Sequence, residues 1–224
     1  MPEPAFKKHS VFLGASGSGK TELSVNFAIL ARRRAGRRVI FIDMDQTKGL
    51  FRARDFFDEL RAEGVEPVDT FAFQDAPVIP AGVAAAIDDK DAMCVFDVGG
   101  NAAGAVMIGQ FVEKLPVEST DYFFVINPCR PLSATAAGLE RGMVEILCAS
   151  GIDPAWLKVI SNPNMGRETS RELILERHTR LQELLSGLGM SACAIAADSA
   201  LSAGLEEASG LPVLPLRLYM RSLY

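Results

Sequence analysis

The eight residues GASGSGKT at positions 14–21 constrain this chain more than any other stretch. They satisfy G-x-x-x-x-G-K-[ST], a pattern that carries meaning only where a strand enters it and a helix leaves it. Both are present. The apolar run SVFLG (10–14) precedes it, and TELSVNFAILARRR follows, with Leu23, Phe27, Leu30 and Ala31 at helical spacing. Glycines at 14, 17 and 19 allow backbone angles closed to other residues. The loop then turns successive N–H groups toward an anion, with a helix N-terminus behind them. Lys20 supplies a point charge for the β- and γ-phosphates, and the Thr21 hydroxyl suits magnesium. The predicted nucleotide-contact run is therefore Gly14, Ala15, Ser16, Gly17, Ser18, Gly19, Lys20, Thr21 and Glu22.

The rest of the chain suits a fold built around such a loop. Short, nearly continuous apolar runs recur at 38–43, 92–98, 121–127, 157–162 and 190–195, as expected of strands buried on both faces. Between them lie stretches long enough for crossover helices: KGLFRARDFFDELRAE, NAAGAVMIGQFVEKL, SATAAGLERGMVEILCAS and ETSRELILERHTRLQELLSGL. This alternation predicts an α/β fold, a mostly parallel β-sheet flanked by helices on both faces. The 224 residues show no internal repeat or linker, so a single nucleotide-binding domain over 1–224 is expected. Pro67, Pro77 and Pro80 interrupt the least regular segment, where a short strand near 65–69 and a short helix over 80–88 are expected. The last stretch, SGLPVLPLRLYMRSLY, should be extended.

A net charge of −5 argues against wrapping nucleic acid through general positive charge. No apolar run approaches a bilayer span, and MPEPAFKKHS lacks the apolar core of a secretion signal, so a cytoplasmic chain with no membrane span is expected. Cys94, Cys129, Cys148 and Cys193 are scattered without a CxxC pair. They read as small buried hydrophobes rather than metal ligands.

The second apolar run ends IDMDQTKG. Asp43 and Asp45 sit two apart, so on an extended chain they point to the same side. The carboxyl ends of parallel strands form the ligand crevice of open α/β sheets. Two acids there can hold a magnesium hydration shell or orient an attacking water. The run at 92–98 leads into CVFDVGG. Asp97 is placed to bind magnesium directly or through water. Gly99 and Gly100 would let the following loop approach a γ-phosphate and move when it leaves.

The phosphate loop on the first strand, DMD after the second and DVGG after the strand at 92–98 resemble the SIMIBI class of P-loop NTPases, and within it the ParA/MinD/CobQ group. The stretches DMDQTKGLFRARDFF, FDVGGNAAGA, VINPCRPLSAT and ISNPNMGRE are similar to a ParA-like branch, and the similarity covers nearly the whole chain. The resemblance implies dependence on ATP and Mg2+. Lys20 and Thr21 would contact phosphate and magnesium. Asp45 would position the attacking water, with Asp43 as its structural or metal-side partner and Asp97 as the Walker B acid. Asn162 would hydrogen-bond adenine, for which an amide has both donor and acceptor. Residue chemistry alone leaves Asn162 equally a cap or turn residue. No NKxD motif appears, which favours ATP over GTP.

One position departs from the resemblance. ParA and MinD proteins carry a lysine where this chain has Ala15, and in that family it reaches across a nucleotide-sandwich dimer. Arg52, Arg54 or Arg130 can supply a replacement charge. Solvated surface arginine is the plainer reading of each.

Several features have plain structural readings. Arg32, Arg33, Arg34, Arg37 and Arg38 complement the C-terminal dipole of the first helix, with DNA or an acidic partner the less favoured alternative. The C-terminal stretch reads as a docked segment rather than a membrane helix. His178 reads as a solvated surface residue and Trp156 as packed against the core. The function expected is a Mg-dependent ATPase of the ParA/MinD type. ATP and ADP would switch it between states that differ in dimerisation or in binding an unidentified protein partner, with slow turnover alone. The alternatives are an ATP-dependent small-molecule transferase or ligase of the dethiobiotin synthetase/CobQ type, or a nucleotide-binding module that does not hydrolyse.

Overall fold

Strand and helix alternate as the hydrophobic pattern demands. The computed structural model describes residues 6–45, 56–68 and 81–219. The elements run β1 (His9–Leu13), α1 (Lys20–Ala35), β2 (Arg38–Met44), α2 (Phe57–Ala62), β3 (Glu66–Val68), α3 (Ala81–Asp88), β4 (Ala92–Val98), α4 (Ala102–Gly109), β5 (Thr120–Ile126), α5 (Ala136–Ser150), β6 (Leu157–Ser161), α6 (Arg171–Gly187), β7 (Ala192–Asp198), α7 (Leu205–Ser209) and β8 (Val213–Leu216). The strands form one eight-stranded sheet in the order β3-β2-β4-β1-β5-β6-β7-β8. Each described pairing is parallel.

Alternate strand residues feed two cores. On one face Phe12, Val39, Phe41, Val95, Val125 and Ile160 pack with α1 and α2 through Leu23, Ala28, Ile29, Phe57 and Leu60. On the other, Val11, Leu13, Ile40, Phe96 and Phe124 pack with Ile87 of α3, Ile108 of α4, Met143 and Ile146 of α5, and Leu181 and Leu185 of α6. Each edge strand carries a proline, Pro67 in β3 and Pro215 in β8. A residue without an N–H is tolerated at an edge and discourages further strand pairing there. The extended tail expected from sequence is thus in part a strand, paired with β7 through Ile195–Val213 and its successors.

Several expectations shift. The strand expected over 190–195 begins at Ala192 and runs to Asp198, because the Gly189 and Met190 N–H groups close α6 on Ser186 and Leu185 carbonyls. The long helix expected over 101–115 stops at Gly109, and one 3-10 turn, Val112–Lys114, follows. The Leu115 carbonyl after it accepts the hydroxyl of fully buried Tyr122, whose ring stacks on Trp156 at 5.6 Å. Of the helix expected over 48–63, the described part is Phe57–Ala62; Arg52 and Arg54 lie outside the described residues.

His178 is buried at 5% exposure, not solvated. It falls on the apolar stripe of α6 with Ile174, Leu181 and Leu185. Cys94 is buried as expected, but Cys129 is half-buried and Cys148 and Cys193 are exposed. The arginines at the end of α1 do more than face a dipole. Arg33 grips Glu63 at 2.7 Å, Arg38 pairs with Glu66 and Asp89, and Arg32 donates to the Gly64 carbonyl at 3.0 Å. These exposed contacts contribute little energy and serve to fix position. The docked tail is held by Asn26, whose amide donates to the Arg217 carbonyl and accepts the Arg217 N–H.

Candidate nucleotide site

The loop between β1 and α1 is shaped by what lies under it. Gly19 ends the loop at φ 91°, in the left-handed region, and α1 has no capping side chain. By contrast α4, α5 and α6 are capped by Asn101, Thr135 and Ser170. The leading N–H groups of α1 are therefore left to whatever anion the loop encloses. A side chain at Gly19 would run into the Asn162 amide. Asn162 follows β6, two strands from β1, and its Nδ2 donates to the Ser18 carbonyl at 2.8 Å. Its own N–H is held by the Ile126 carbonyl at 2.8 Å. Asn162 thus braces the loop from beneath, a partner the sequence did not reveal.

Asp43 and Asp97 are register partners at the carboxyl ends of β2 and β4. Asp43 is buried, and its Oδ1 accepts the Asp45 N–H at 2.9 Å, which fixes the turn that presents Asp45. The Asp45 carboxylate lies against Gly99, 3.2 Å from where a Cβ would stand. Gly100 lies over the phosphate loop: a Cβ there would sit 2.6 Å from the Ser16 N and 2.9 Å from Lys20 Nζ. Lys20 is itself buried, with Nζ donating to the Ala15 carbonyl at 3.2 Å. Burial lowers its pKa, and the charges of Asp97 and Asp45 pull it back up.

Asp97 stands in an electrostatically costly position. It is 1% exposed, and among the described residues neither carboxylate oxygen has a hydrogen-bond partner. Burial raises its pKa, against the opposing charge of Lys20. The hydroxyls of Thr21 and Ser24 lie near enough to favour the charged form without completing a bond. Ser24 already donates to the Thr21 carbonyl at 3.0 Å. A buried carboxylate with two unengaged oxygens beside a threonine hydroxyl fits the donor set of a magnesium ion or its bound water. Among the described residues no group of three or more acidic, histidine or cysteine side chains converges.

The open side of the loop faces a cleft of about 200 Å³ lined by Ala15, Ser16, Ser18, Asn127, Arg130 and Ser133. Ser18 is buried there, its hydroxyl without a hydrogen-bond partner among the described residues. Arg130 reaches over from the segment after β5, its Nε donating to the Gly17 carbonyl at 3.3 Å. Glu22 stands apart from this group. Its carboxylate accepts the Tyr219 N–H, so its side chain anchors the tail rather than lining the cleft. Sequence reading missed Asn127 and Asn164. Asn127 Nδ2 donates to the Asn164 carbonyl at 2.9 Å, tying the loops after β5 and β6 together. The paired NP dipeptides, Asn127-Pro128 and Asn162-Pro163, each closing an apolar run, are the signal that marks these loops.

The described residues contain no helix long and apolar enough to cross a membrane. No curated protein matches the sequence. Among solved structures, the cell division protein FtsY of Thermotoga maritima superposes with a TM-score of 0.55 at 17% identity, over 88% of this chain and 63% of that one. The chain therefore spans less than two thirds of that relative, and the likeness is one of fold. A nucleotide-binding protein from Archaeoglobus fulgidus in complex with ADP gives 0.49 at 14% identity, over 84% and 79% of the two chains. FlhF complexed with GTP and Mg2+ gives 0.46 at 17% identity, over 80% and 63%. Residues 10–189 match the family model described as the CobQ/CobB/MinD/ParA nucleotide binding domain. That span takes in the phosphate loop, both acid-bearing strand ends and Asn162; the chain belongs to this family of SIMIBI-class P-loop proteins.

Proposed function

We propose that this chain is a Mg-dependent ATPase that acts as a nucleotide-driven switch. The observation that carries the reading is Asp97, a buried carboxylate with two unpartnered oxygens beside Thr21 and Lys20. Such a group is costly unless a cation comes to it. Thr21 and Asp97 would hold magnesium, and Asp43 stands behind them in register. Magnesium held there would supply charge neutralisation for the phosphates. The loop N–H groups and Lys20 bind and orient the triphosphate. Asp45, beside Gly99, would orient the attacking water. Gly99 and Gly100 would sense the γ-phosphate, because Gly100 stands directly against Ser16 and Lys20 of the loop that would hold it. Asn162 would read adenine while bracing Ser18. We read residues 1–224 as one nucleotide-binding domain, with a dimer or a protein partner as the recipient of the switch.

The test is ATP binding and phosphate release with magnesium in wild type, Lys20→Ala, Asp97→Asn and Asp45→Ala. Lys20→Ala should lose binding. Asp45→Ala should keep binding and lose hydrolysis by roughly 100-fold. Unchanged ATP affinity in Lys20→Ala would sink the reading. Equal, near-zero release in wild type and Asp45→Ala would leave a non-hydrolysing module, and transfer of phosphate to an added carboxylic acid would mark a ligase.

A further inference from the structure

We propose that Arg130 supplies, from its own chain, the positive charge on the open side of the phosphate loop. The inference rests on the ATPase reading above and adds a residue to it. Three observations support it. First, the guanidinium lies on the loop itself. Its Nε donates to the Gly17 carbonyl, and a Cβ on Gly17 would stand 3.5 Å from that nitrogen. Second, its base is rigid. The Arg130 N–H is held by the Asn127 carbonyl at 3.1 Å, and its carbonyl accepts the Ser133 N–H at 3.0 Å. Asn127 Oδ1 takes the Cys129 N–H at 3.0 Å, while its Nδ2 ties the turn to Asn164. Third, among the described residues Arg130 makes no ion pair, and it lines the same cleft as Ala15 and Ser16. The charge therefore stands in a cleft to which Ala15 contributes none.

The fork geometry fits the task. Nε is occupied by Gly17, and the two terminal nitrogens remain for oxygens of the β- and γ-phosphates. In hydrolysis the water oxygen bonds to the γ-phosphorus as its bond to the β–γ bridging oxygen breaks. ADP leaves with that electron pair, and the water proton passes to the released phosphate. A guanidinium beside the bridging oxygen stabilises the charge gathering there. Because the turn is already ordered, little side-chain freedom is lost on engagement.

The experiment uses the full chain with ATP and Mg2+, comparing wild type, Arg130→Ala, Arg130→Lys and the exposed control Arg141→Ala. Arg130→Ala should lower kcat by ~100-fold or more while KM moves far less, and lysine should restore only part of it. Equal mixtures of Lys20→Ala and Arg130→Ala should show no recovery, because each active site needs both groups from one chain. Specific activity should not vary with protein concentration. Should wild type bind ATP without turnover, ADP–aluminium fluoride affinity becomes the readout, and Arg130→Ala should weaken it roughly 10-fold. Wild-type kcat or analogue affinity in Arg130→Ala overturns the inference, as does recovery on mixing, which would place the arginine in a partner's site. A wild-type chain that binds no nucleotide fails the ATPase reading itself, a result distinct from these.

Discussion

Replacing Asn162 by Asp exchanges one NH2 for an oxygen and leaves the shape unchanged. The wild-type Nδ2 donates to the Ser18 carbonyl at 2.8 Å, and Asn162 is 3% exposed. In the variant a carboxylate oxygen faces that carbonyl, so two acceptors meet in a site closed to water. An orphaned buried acceptor costs about 1–3 kcal/mol, and more when the intruding group is charged. We expect a loss of about 2–3 kcal/mol at neutral pH. For a chain of this length that is roughly 4–12 °C in Tm. Protonating the new carboxyl restores a donor, so its folded-state pKa must lie above the unfolded value near 4. The penalty is then greatest at high pH and shrinks as pH falls through the raised value. Asn162→Ala leaves the carbonyl orphaned too, but without the pH dependence. The assay is urea unfolding of wild type and both variants at pH 8 and pH 5, read as differences from wild type at each pH. Nucleotide affinity should weaken in parallel, since Ser18 loses its brace. An Asn162→Asp variant as stable as wild type at pH 8, or a penalty independent of pH, would refute the reasoning.

Two further outcomes follow from the same geometry. Both histidines, His9 and His178, are buried with Nδ1 unpartnered, and burial lowers both pKa values, that of His9 to about 4 with help from the Lys8 charge. Below the unfolded value the unfolded chain binds the extra protons, so each histidine removes stability as pH falls from neutrality toward its lowered pKa. For His9 this amounts to about 2 kcal/mol between pH 7 and pH 5, measured as the difference in urea stability between wild type and His9→Leu; a constant difference would refute it. Gly100→Ala sets a methyl against the Ser16 backbone and Lys20 Nζ. Backbone cannot yield as a side-chain tip does, so we expect about 1–3 kcal/mol of destabilisation and weakened ATP binding by calorimetry; wild-type values in both would show that the loop above the phosphates moves freely.

The elements legible in sequence are those written into short windows. Continuous apolar runs mark β1, β2, β4, β5 and β6 within a residue or so, because strands covered on both faces need apolar residues at every position. The helix at 80–88 was legible despite its irregular surroundings and appears at Ala81–Asp88. His178 shows how much depends on phase: its spacing from Ile174 and Leu181 places it on the apolar stripe, a signal outweighed by its charged neighbours in ERHTRLQ. β7 was misplaced because alanines carry little strand preference of their own, and the turn closing α6 claimed Met190.

What the sequence alone determined is the kind of chain: a glycine-bent loop between strand and helix, acids at strand ends and the alternation that builds a parallel sheet. Tertiary structure decided which distant residues complete the site. Asn162 meets Ser18 across 144 residues, Arg130 meets Gly17 across 113, and Tyr219 meets Glu22 across 197. Periodicity encodes which face of an element is buried, not which strand lies beside it. Strand order sets β5 beside β1 and β6 beyond it, and only through that order do the loops after them come to hold the phosphate loop in place.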